Sequence, residues 1–402
     1  MRVLQINSVC GFGSTGNIVM DLANALMAQG DECFVAYGQL DTGYKNSFRI
    51  GTRTENHLHN LGSRILGRQG YHSHRGTGNL IRYIEKIKPD LIHLHNLHGH
   101  YLNLGMLFSF LSGAGIPVVW TLHDCWAFTG RCSSYSEAGC NRWQTRCYDC
   151  PQLSKYPPSL FLDRSEEMYE DKKKWFTSVK KMTLITVSEW LTGEVKKSFL
   201  SKYPVCAVYN WVDQTIFKPL AEDGRKVYGI DENKFIILGV SAGWISSSSK
   251  LKDFIRLAKM TGNDMQLVLA GGIKGRVPVP PNVKLISYLH NPVELARLYS
   301  MADVYVHFSL EDTFGKVIAE ALSCGTPAIV YNSTACPEIL GEGCGYVAER
   351  RDVEEVYSKI RQIQSEGKQK YSSACVNHVR DNFGMNKNIG RTLNIYKNML
   401  AA

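Results

Sequence analysis

The chain has 402 residues, 44% apolar and 21% charged, with a formal net charge of +9. That length predicts two domains of roughly 200 residues each, and the composition excludes a disordered or fibrous protein. The most apolar stretch, Gly105 to Trp120, is broken by Gly113, Gly115 and Pro117, which excludes a membrane span.

Positive charge without a nucleic-acid motif points to phosphorylated small molecules or acidic lipid surfaces as partners, and not to nucleic acid. The first residues, MRVLQINSV, read directly as a strand and not as a secretory signal. With 12 cysteines and no such signal, the expected setting is reducing and cytoplasmic, and the cysteines are expected as thiols or metal ligands.

In chain order, Val3 to Asn7 is a strand that runs into C-G-F-G-S-T-G-N and a helix from Ile18 to Gln29. Gly11, Gly13 and Gly16 make G-x-G-x-x-G in the right place for a dinucleotide fingerprint. The next strand, Cys33 to Tyr37, ends in Gly38 and Gln39, so the acid that would hold a ribose is missing. Residues 42 to 79 read as loops with a short helix. A helix from Gly78 to Lys88 stops at Pro89, and Leu91 to Leu94 is a buried strand. His93 and His95 share one strand face and, with His98 and His100, form a histidine-dense rim. They read either as sugar- or phosphate-contacting groups or as rings satisfied by backbone. After a helix from Leu104 to Ser112, the strand Val118 to Leu122 ends in His123 and Asp124, where α/β proteins place their chemistry.

Cys132, Cys140, Cys147 and Cys150 follow as C-x7-C-x6-C-x2-C within 19 residues. Two thiolates of C-x2-C can bite one ion and the earlier pair can complete a tetrahedron, so structural zinc is expected. An iron–sulfur cluster or free thiols are the other readings. Ser165 to Lys181 reads as a helix with acids first and lysines later. Trp175 and Phe176 lie among those lysines, so it is either a solvated basic face or a contact with an anionic membrane. Strands at Thr183 to Val187 and Val205 to Tyr209 close the first half.

The second half opens with the strand Phe235 to Val240 and a loop, SAGWISSSSKLKDF. Strands at Leu267 to Ala270 and Val283 to Ile286 follow, then a helix from Pro292 to Ser300. The stretch from His307 to Glu338 reads as strand end, polar loop, helix and new strand. Asp312 and Thr313 are cap-type residues, and Gly315 to Ser323 has helical spacing. A helix N-terminus at the carboxyl end of a strand is an anion site, and Asp312 and Glu320 can grip hydroxyls on either side of a phosphate. A short strand at Gly345 to Val347, a helix from Val353 to Gln364 and a last helix from Asn386 to Met399 complete the chain.

The spacing acid–x7–acid, then A-x-S-C-G-T-P-A-I and P-E, resembles the donor motif of retaining glycosyltransferases of family 4. The resemblance implies a GT-B fold, two doubly wound α/β domains facing a cleft. The acceptor domain would span 1–208, completed by a helix at 386–402, and the nucleotide-sugar domain 209–385. N-W-V-D-Q-T-I-F-K-P is similar to the family's linker, with Trp211 where Gly is usual. By the same resemblance, Asp312 and the backbone of Thr313, Phe314 and Gly315 would hold the donor sugar, and Glu320 the ribose hydroxyls. His123 would sit beside the transferred sugar, and Gly13 in the glycine loop would line the cleft. Asp312 stands where the family usually has Glu, which shortens the reach by one methylene. Where the family carries Arg and Lys for the diphosphate, this chain has Ser246 to Ser249, Lys250 and Lys252. The implied chemistry is front-face transfer from a nucleotide sugar to a glycan or lipid-linked acceptor, with no cofactor required. The phrase 121–158 resembles a subgroup associated with exopolysaccharide and capsule assembly. The altered serine loop leaves a second reading, a catalytically impaired binding partner in such an assembly.

Overall fold

The computed structural model describes every residue except 222, 223, 274, 276 and 402. The chain divides into two compact units, Met1–Val208 with Ile389–Ala402, and Tyr209–Asn388.

The first unit is built on strands β1 (Arg2–Asn7), β2 (Glu32–Tyr37), β3 (Ser47–Arg49), β4 (Leu91–Leu94), β5 (Val118–Leu122), β6 (Met182–Thr186) and β7 (Val205–Ala207). They form one sheet in the order β3-β2-β1-β4-β5-β6-β7, every pairing parallel. Its helices are α1 (Gly13–Ala28), α2 (Arg53–Leu66), α3 (His74–Ile87), α4 (Leu104–Ala114), α5 (Ser165–Phe176) and α6 (Glu189–Lys196). β4, β5 and β6 are buried along their whole length, as strands covered on both faces must be.

The second unit carries α7 (Gly224–Val227), β8 (Phe235–Trp244), α8 (Ser249–Met260), β9 (Met265–Ile273), β10 (Val283–Ile286), α9 (Pro292–Met301) and β11 (Val304–His307). It continues with α10 (Lys316–Ser323), β12 (Ala328–Tyr331), β13 (Gly345–Ala348), α11 (Val353–Glu366) and α12 (Gln369–Phe383). Its sheet runs β10-β9-β8-β11-β12-β13, again all parallel. In each sheet the strand order reverses once, between β1 and β4 and between β8 and β11. Such switch points open a crevice at the carboxyl ends of the strands. The chain that leaves those four strands carries Gly11–Gly16, His95–His98, Ser246–Lys250 and Ser309–Gly315, with α1 and α8 already begun at Gly13 and Ser249.

The last helix, α13 (Met385–Ala401), begins in the second unit and ends in the first. There the Tyr396 hydroxyl bonds Nδ1 of His93, and Thr183 Oγ1 lies 2.8 Å from the Met399 sulfur.

Several elements differ from the sequence reading. The region read as loops holds the fourteen-residue α2, capped by Thr52, whose side chain accepts from the Glu55 amide. α3 starts at His74, ahead of the expected Gly78. α12 was not foreseen, although Tyr371, Cys375, Val379 and Phe383 recur every fourth residue and all are buried. α5 ends at Phe176, so Lys180 and Lys181 lie beyond it. Of the helix's own lysines, Lys173 and Lys174 are exposed, as a solvated basic face requires. Lys172 and Phe176 are buried, and the Trp175 ring packs 5.2 Å from that of Tyr71. Lys172 and Phe176 are therefore interior packing, and Trp175 is half-buried against Tyr71.

Candidate active site

In the second unit, β11 delivers His307 to the carboxyl edge of the sheet, and the loop folds Asp312 back onto it. The His307 ring is held on both nitrogens, Nδ1 by the Tyr305 hydroxyl at 2.9 Å and Nε2 by the Asp312 carboxylate. Burial alone would raise the Asp312 carboxyl. The His307 ring, its hydrogen bond and the Lys250 charge outweigh that and hold it well below the usual carboxylate range. His307, Asp312 and Cys336 have ligand atoms within 4.8 Å of one another. Both ring nitrogens are engaged, so Tyr305, His307 and Asp312 form a hydrogen-bonded chain beside Cys336.

Asp312 does not cap α10, and neither does Thr313. The cap position is Gly315, at φ +81°, with no side-chain hydrogen bond to the helix. The first amides of α10 thus have no intrahelical acceptor, as a helix start requires. Phe314 is buried, its ring 5.4 Å from Phe383 and 6.1 Å from Tyr209, so its backbone is anchored by aromatic packing.

Glu320 lies one turn further along α10 from Lys316. The two approach at 3.9 Å, and the Tyr299 hydroxyl lies 3.4 Å from the other Glu320 oxygen. Burial pushes this carboxyl up to about 7, although Lys316 and Tyr299 pull it down. Sequence reasoning missed His307, Tyr305, Tyr299 and Lys316. Lys316 was readable as an i,i+4 partner of Glu320; the others are brought in only by the fold.

Lys250 and Lys252 part company. They are not on a loop: α8 begins at Ser249, and Ser248 is its cap, accepting from the Leu251 amide. Lys250 stands in the first turn, where its charge reaches Asp312. Lys252 is exposed and, two residues on, points about 200° round the helix. The serine run is therefore the start of a helix. Its amide ends and Lys250 face the switch point in place of the expected arginine.

In the first unit, the glycine loop between β1 and α1 folds as the fingerprint predicts. Gly11 and Gly13 take φ values of +73° and +63°. A Cβ on Gly16 would sit 3.1 Å from the Gly11 nitrogen. Gly38 follows β2, and a Cβ there would lie 2.3 Å from the Tyr101 ring.

The histidines are not a rim. His93 and His95 are buried, and both nitrogens of each are used. His93 bonds Tyr396 and Thr121 Oγ1, the latter at 2.7 Å. His95 bonds Gln5 Oε1 at 3.0 Å and His123 Nε2 at 3.1 Å. Gln5 Nε2 donates to the Val19 carbonyl, so its Oε1 faces His95 as an acceptor. His95 then donates from Nε2 and accepts at Nδ1, and His123 must donate from its own Nε2. Burial pushes His123 down to about 4 and His93 to about 3, so both are neutral near pH 7. A neutral His123 oriented in this way carries an unprotonated Nδ1, which is buried. Asp124 does not orient it. Its carboxylate takes His98 Nε2 at 2.8 Å and the Trp126 amide at 2.8 Å.

Two family models match. That described as Glycosyltransferase Family 4 covers residues 15–215, and that described as Glycosyl transferases group 1 covers 221–380. Escherichia coli K12 WcaC, named as a colanic acid biosynthesis glycosyl transferase, is 25% identical over 88% of each chain. An Escherichia coli O-antigen chain mannosyltransferase B is 32% identical over 26% of this chain and 27% of its own. Among solved structures, sucrose-phosphate synthase from Thermosynechococcus elongatus superposes with a TM-score of 0.72 at 15% identity, covering 99% of both chains. HepE from Anabaena, solved with UDP, superposes at 0.66 with 14% identity over 99% of this chain and 100% of its own. These two show the GT-B fold. With a donor-type acid pair at one switch point and an oriented neutral histidine at the other, the chain belongs to glycosyltransferase family 4 and is a glycosyltransferase.

Proposed function

We propose that this enzyme is a retaining glycosyltransferase that moves a sugar from a nucleotide-sugar donor to a glycan or lipid-linked acceptor in bacterial exopolysaccharide or capsule assembly. The observation that carries the reading is the start of α10. There Asp312 is kept ionised beside His307 and Lys250, and buried Glu320 lies one turn into the helix. The first amides of α10 and α8, with Lys250, supply positive potential for a diphosphate, and Glu320 supplies acceptors for two vicinal ribose hydroxyls. His123 Nδ1 would accept from a hydroxyl of the transferred sugar. Transfer on the front face lets the departing diphosphate take the acceptor proton, so the residues position and stabilise charge and none attacks. Support from relatives lies in HepE, solved with UDP-glucose, and in WcaC, named for colanic acid. Lys250 beside Asp312 weighs against the impaired-partner alternative, because it supplies a cation although the expected arginine has no counterpart.

Thermal unfolding against UDP-, GDP-, ADP- and dTDP-sugars tests the donor. A ligand at 100 times its Kd adds about 2.7 kcal/mol, a rise of roughly 5–10 °C for a unit of this size. One nucleotide class is expected to give that rise, and silence across the panel from folded protein would refute a nucleotide-sugar donor.

A lipid-linked acceptor requires the enzyme to meet a membrane at its cytoplasmic face. No helix of the described residues is long and apolar enough to cross one. The surface suited to peripheral contact is α2 with the strap at 160–162. Leu58, Leu61, Ile65 and Leu66 are exposed there, as are Leu160, Phe161 and Leu162, with Phe161 at 77%. The Leu160 amide bonds the Arg64 carbonyl at 2.8 Å and fixes the strap to the helix. Arg53, Arg64 and Arg68 flank it, as interfacial helices require. Sedimentation with phosphatidylglycerol-containing vesicles should capture the protein, and Phe161→Ser should weaken capture about tenfold. Equal capture of both would remove this surface from consideration.

A further inference from the structure

The four clustered cysteines come from the strap between β5 and α5, and all four line one small cavity of about 20 Å³. That volume suits a single ion and not a cluster of irons and sulfides. The surroundings are arranged for anionic sulfur. The Gly130 amide donates to the Cys147 sulfur at 3.2 Å, and the Gln152 amide donates to that of Cys150. Only glycine lets the backbone come so close to Cys147, because a Cβ at Gly130 would lie 2.3 Å from the Ser165 carbonyl oxygen. Two further buried donors around the cavity have no partner among the described residues: Arg131 Nη1 and Trp143 Nε1.

Charge is the second, independent observation. Arg131 and Lys172 are 3% and 1% exposed. Neither makes an ion pair with a carboxylate among the described residues. Lys172 Nζ is held by the Trp126 and Thr129 carbonyls, at 2.7 and 3.1 Å, and lies 3.6 Å above the Trp126 ring. Its charge reaches Cys132 and Cys147, and that of Arg131 reaches Cys150 and Cys132. Two buried cations with no carboxylate within 4 Å are costly, since Asp163 and Asp124 reach Arg131 and Lys172 only at longer range. Four thiolates around one divalent ion carry a net charge of −2, which those two cations neutralise.

We propose that Cys132, Cys140, Cys147 and Cys150 bind one zinc ion as a closed tetrahedral thiolate shell, with Arg131 and Lys172 as its buried counter-charges. Each thiol gives up its proton and forms one Zn–S bond, so binding releases four protons. The sulfurs draw in to about 3.8 Å from one another, the edge of a tetrahedron with Zn–S about 2.3 Å. Without the ion they stand further apart, since no three of them lie within 4.8 Å of one another. The site is structural: it has no open position, and it fastens the strap that follows His123 and Asp124 onto α5.

Elemental analysis of the freshly purified full chain should find about one zinc per molecule, released as a thiol-specific mercurial titrates four cysteines. Cobalt(II) added to the metal-free protein should give tetrahedral thiolate bands. Cys147→Ser with Cys150→Ser should abolish uptake, whereas Cys206→Ser, at an exposed position elsewhere, should leave it intact. Arg131→Met and Lys172→Met should each weaken zinc retention against a chelator by about 10–100-fold. If the cysteine variants fail to fold, the wild-type zinc content and cobalt spectrum still decide. Less than about a tenth of an equivalent of zinc with no cobalt uptake would overturn the proposal. Iron with acid-labile sulfide, or a Cys147–Cys150 disulfide in protein never exposed to oxidant, would do the same.

Discussion

Glu320→Ala should cost nucleotide affinity on the order of 100-fold. Two charge-assisted hydrogen bonds to vicinal hydroxyls, at about 1.5 kcal/mol each, give about 3 kcal/mol, which is that factor. The stabilisation produced by the best nucleotide sugar should then vanish from the melting curve. An undiminished shift would remove Glu320 from the ribose site. A pH signature separates this from simple damage to the fold. Burial pushes the free carboxyl up to about 7, whereas accepting two hydroxyl protons requires it ionised. Binding below pH 7 must therefore expel a proton, and affinity should rise roughly fivefold to tenfold from pH 6 to pH 8. Glu320→Gln should flatten that profile. The ligand-free protein should show the opposite trend. Folded Glu320 holds its proton more tightly than the unfolded chain, whose value is near 4.5. Its contribution to stability is thus fully present below pH 4.5 and is lost as pH rises through 7, by roughly 3 kcal/mol. Relative to wild type, Glu320→Gln should gain melting temperature at pH 8, and the gain should shrink towards pH 5.

The second large effect is expected at Lys250. Its charge stands at the first turn of α8 beside Asp312, where a departing diphosphate would gather negative charge. A group that acts on charge developing in the transition state lowers kcat more than it weakens ground-state binding. Lys250→Ala should therefore reduce turnover by on the order of 100- to 1,000-fold, while donor affinity changes by less than about tenfold. Lys250→Arg should recover part of the rate. Lys252→Ala, on the exposed side of the same helix, should stay within about twofold of wild type. Equal losses at the two lysines would mean that the helix start, and not this side chain, carries the effect.

The contrast between these two lysines shows where sequence reasoning runs out. The parallel strands were legible because apolar runs of four or five residues bounded by Gly, Pro or Asn leave little else to build. α10 was legible because its apolar face and its stop at Gly325 and Pro327 agree. The side on which a polar residue lands was not legible. A one-residue difference in where α8 begins decides whether Lys250 or Lys252 faces Asp312. Composition read the lysines of α5 as solvated, yet Lys172 is interior because Trp126 and two carbonyls receive its ammonium. α2 and α12 were obscured by polar content, although α12 carries a clean four-residue repeat. His93 and His95 were recognised as paired on one face, but their partners Tyr396, Thr121, Gln5 and His123 come from four other elements. Only the assembled sheet and α13 bring those together.

That last helix also has a consequence for synthesis. Between Val208 and Ile389 the ribosome must make the whole second unit, which at 5–20 residues per second takes roughly 10–40 s. Throughout that interval the nascent first unit lacks the Tyr396 hydroxyl for His93 and the apolar cover of α13. The unit that emerges first is completed last. It spends its early life as an unfinished intermediate, exposed to chaperones, and a ribosome stalled anywhere in the second unit would release a chain whose first unit cannot close.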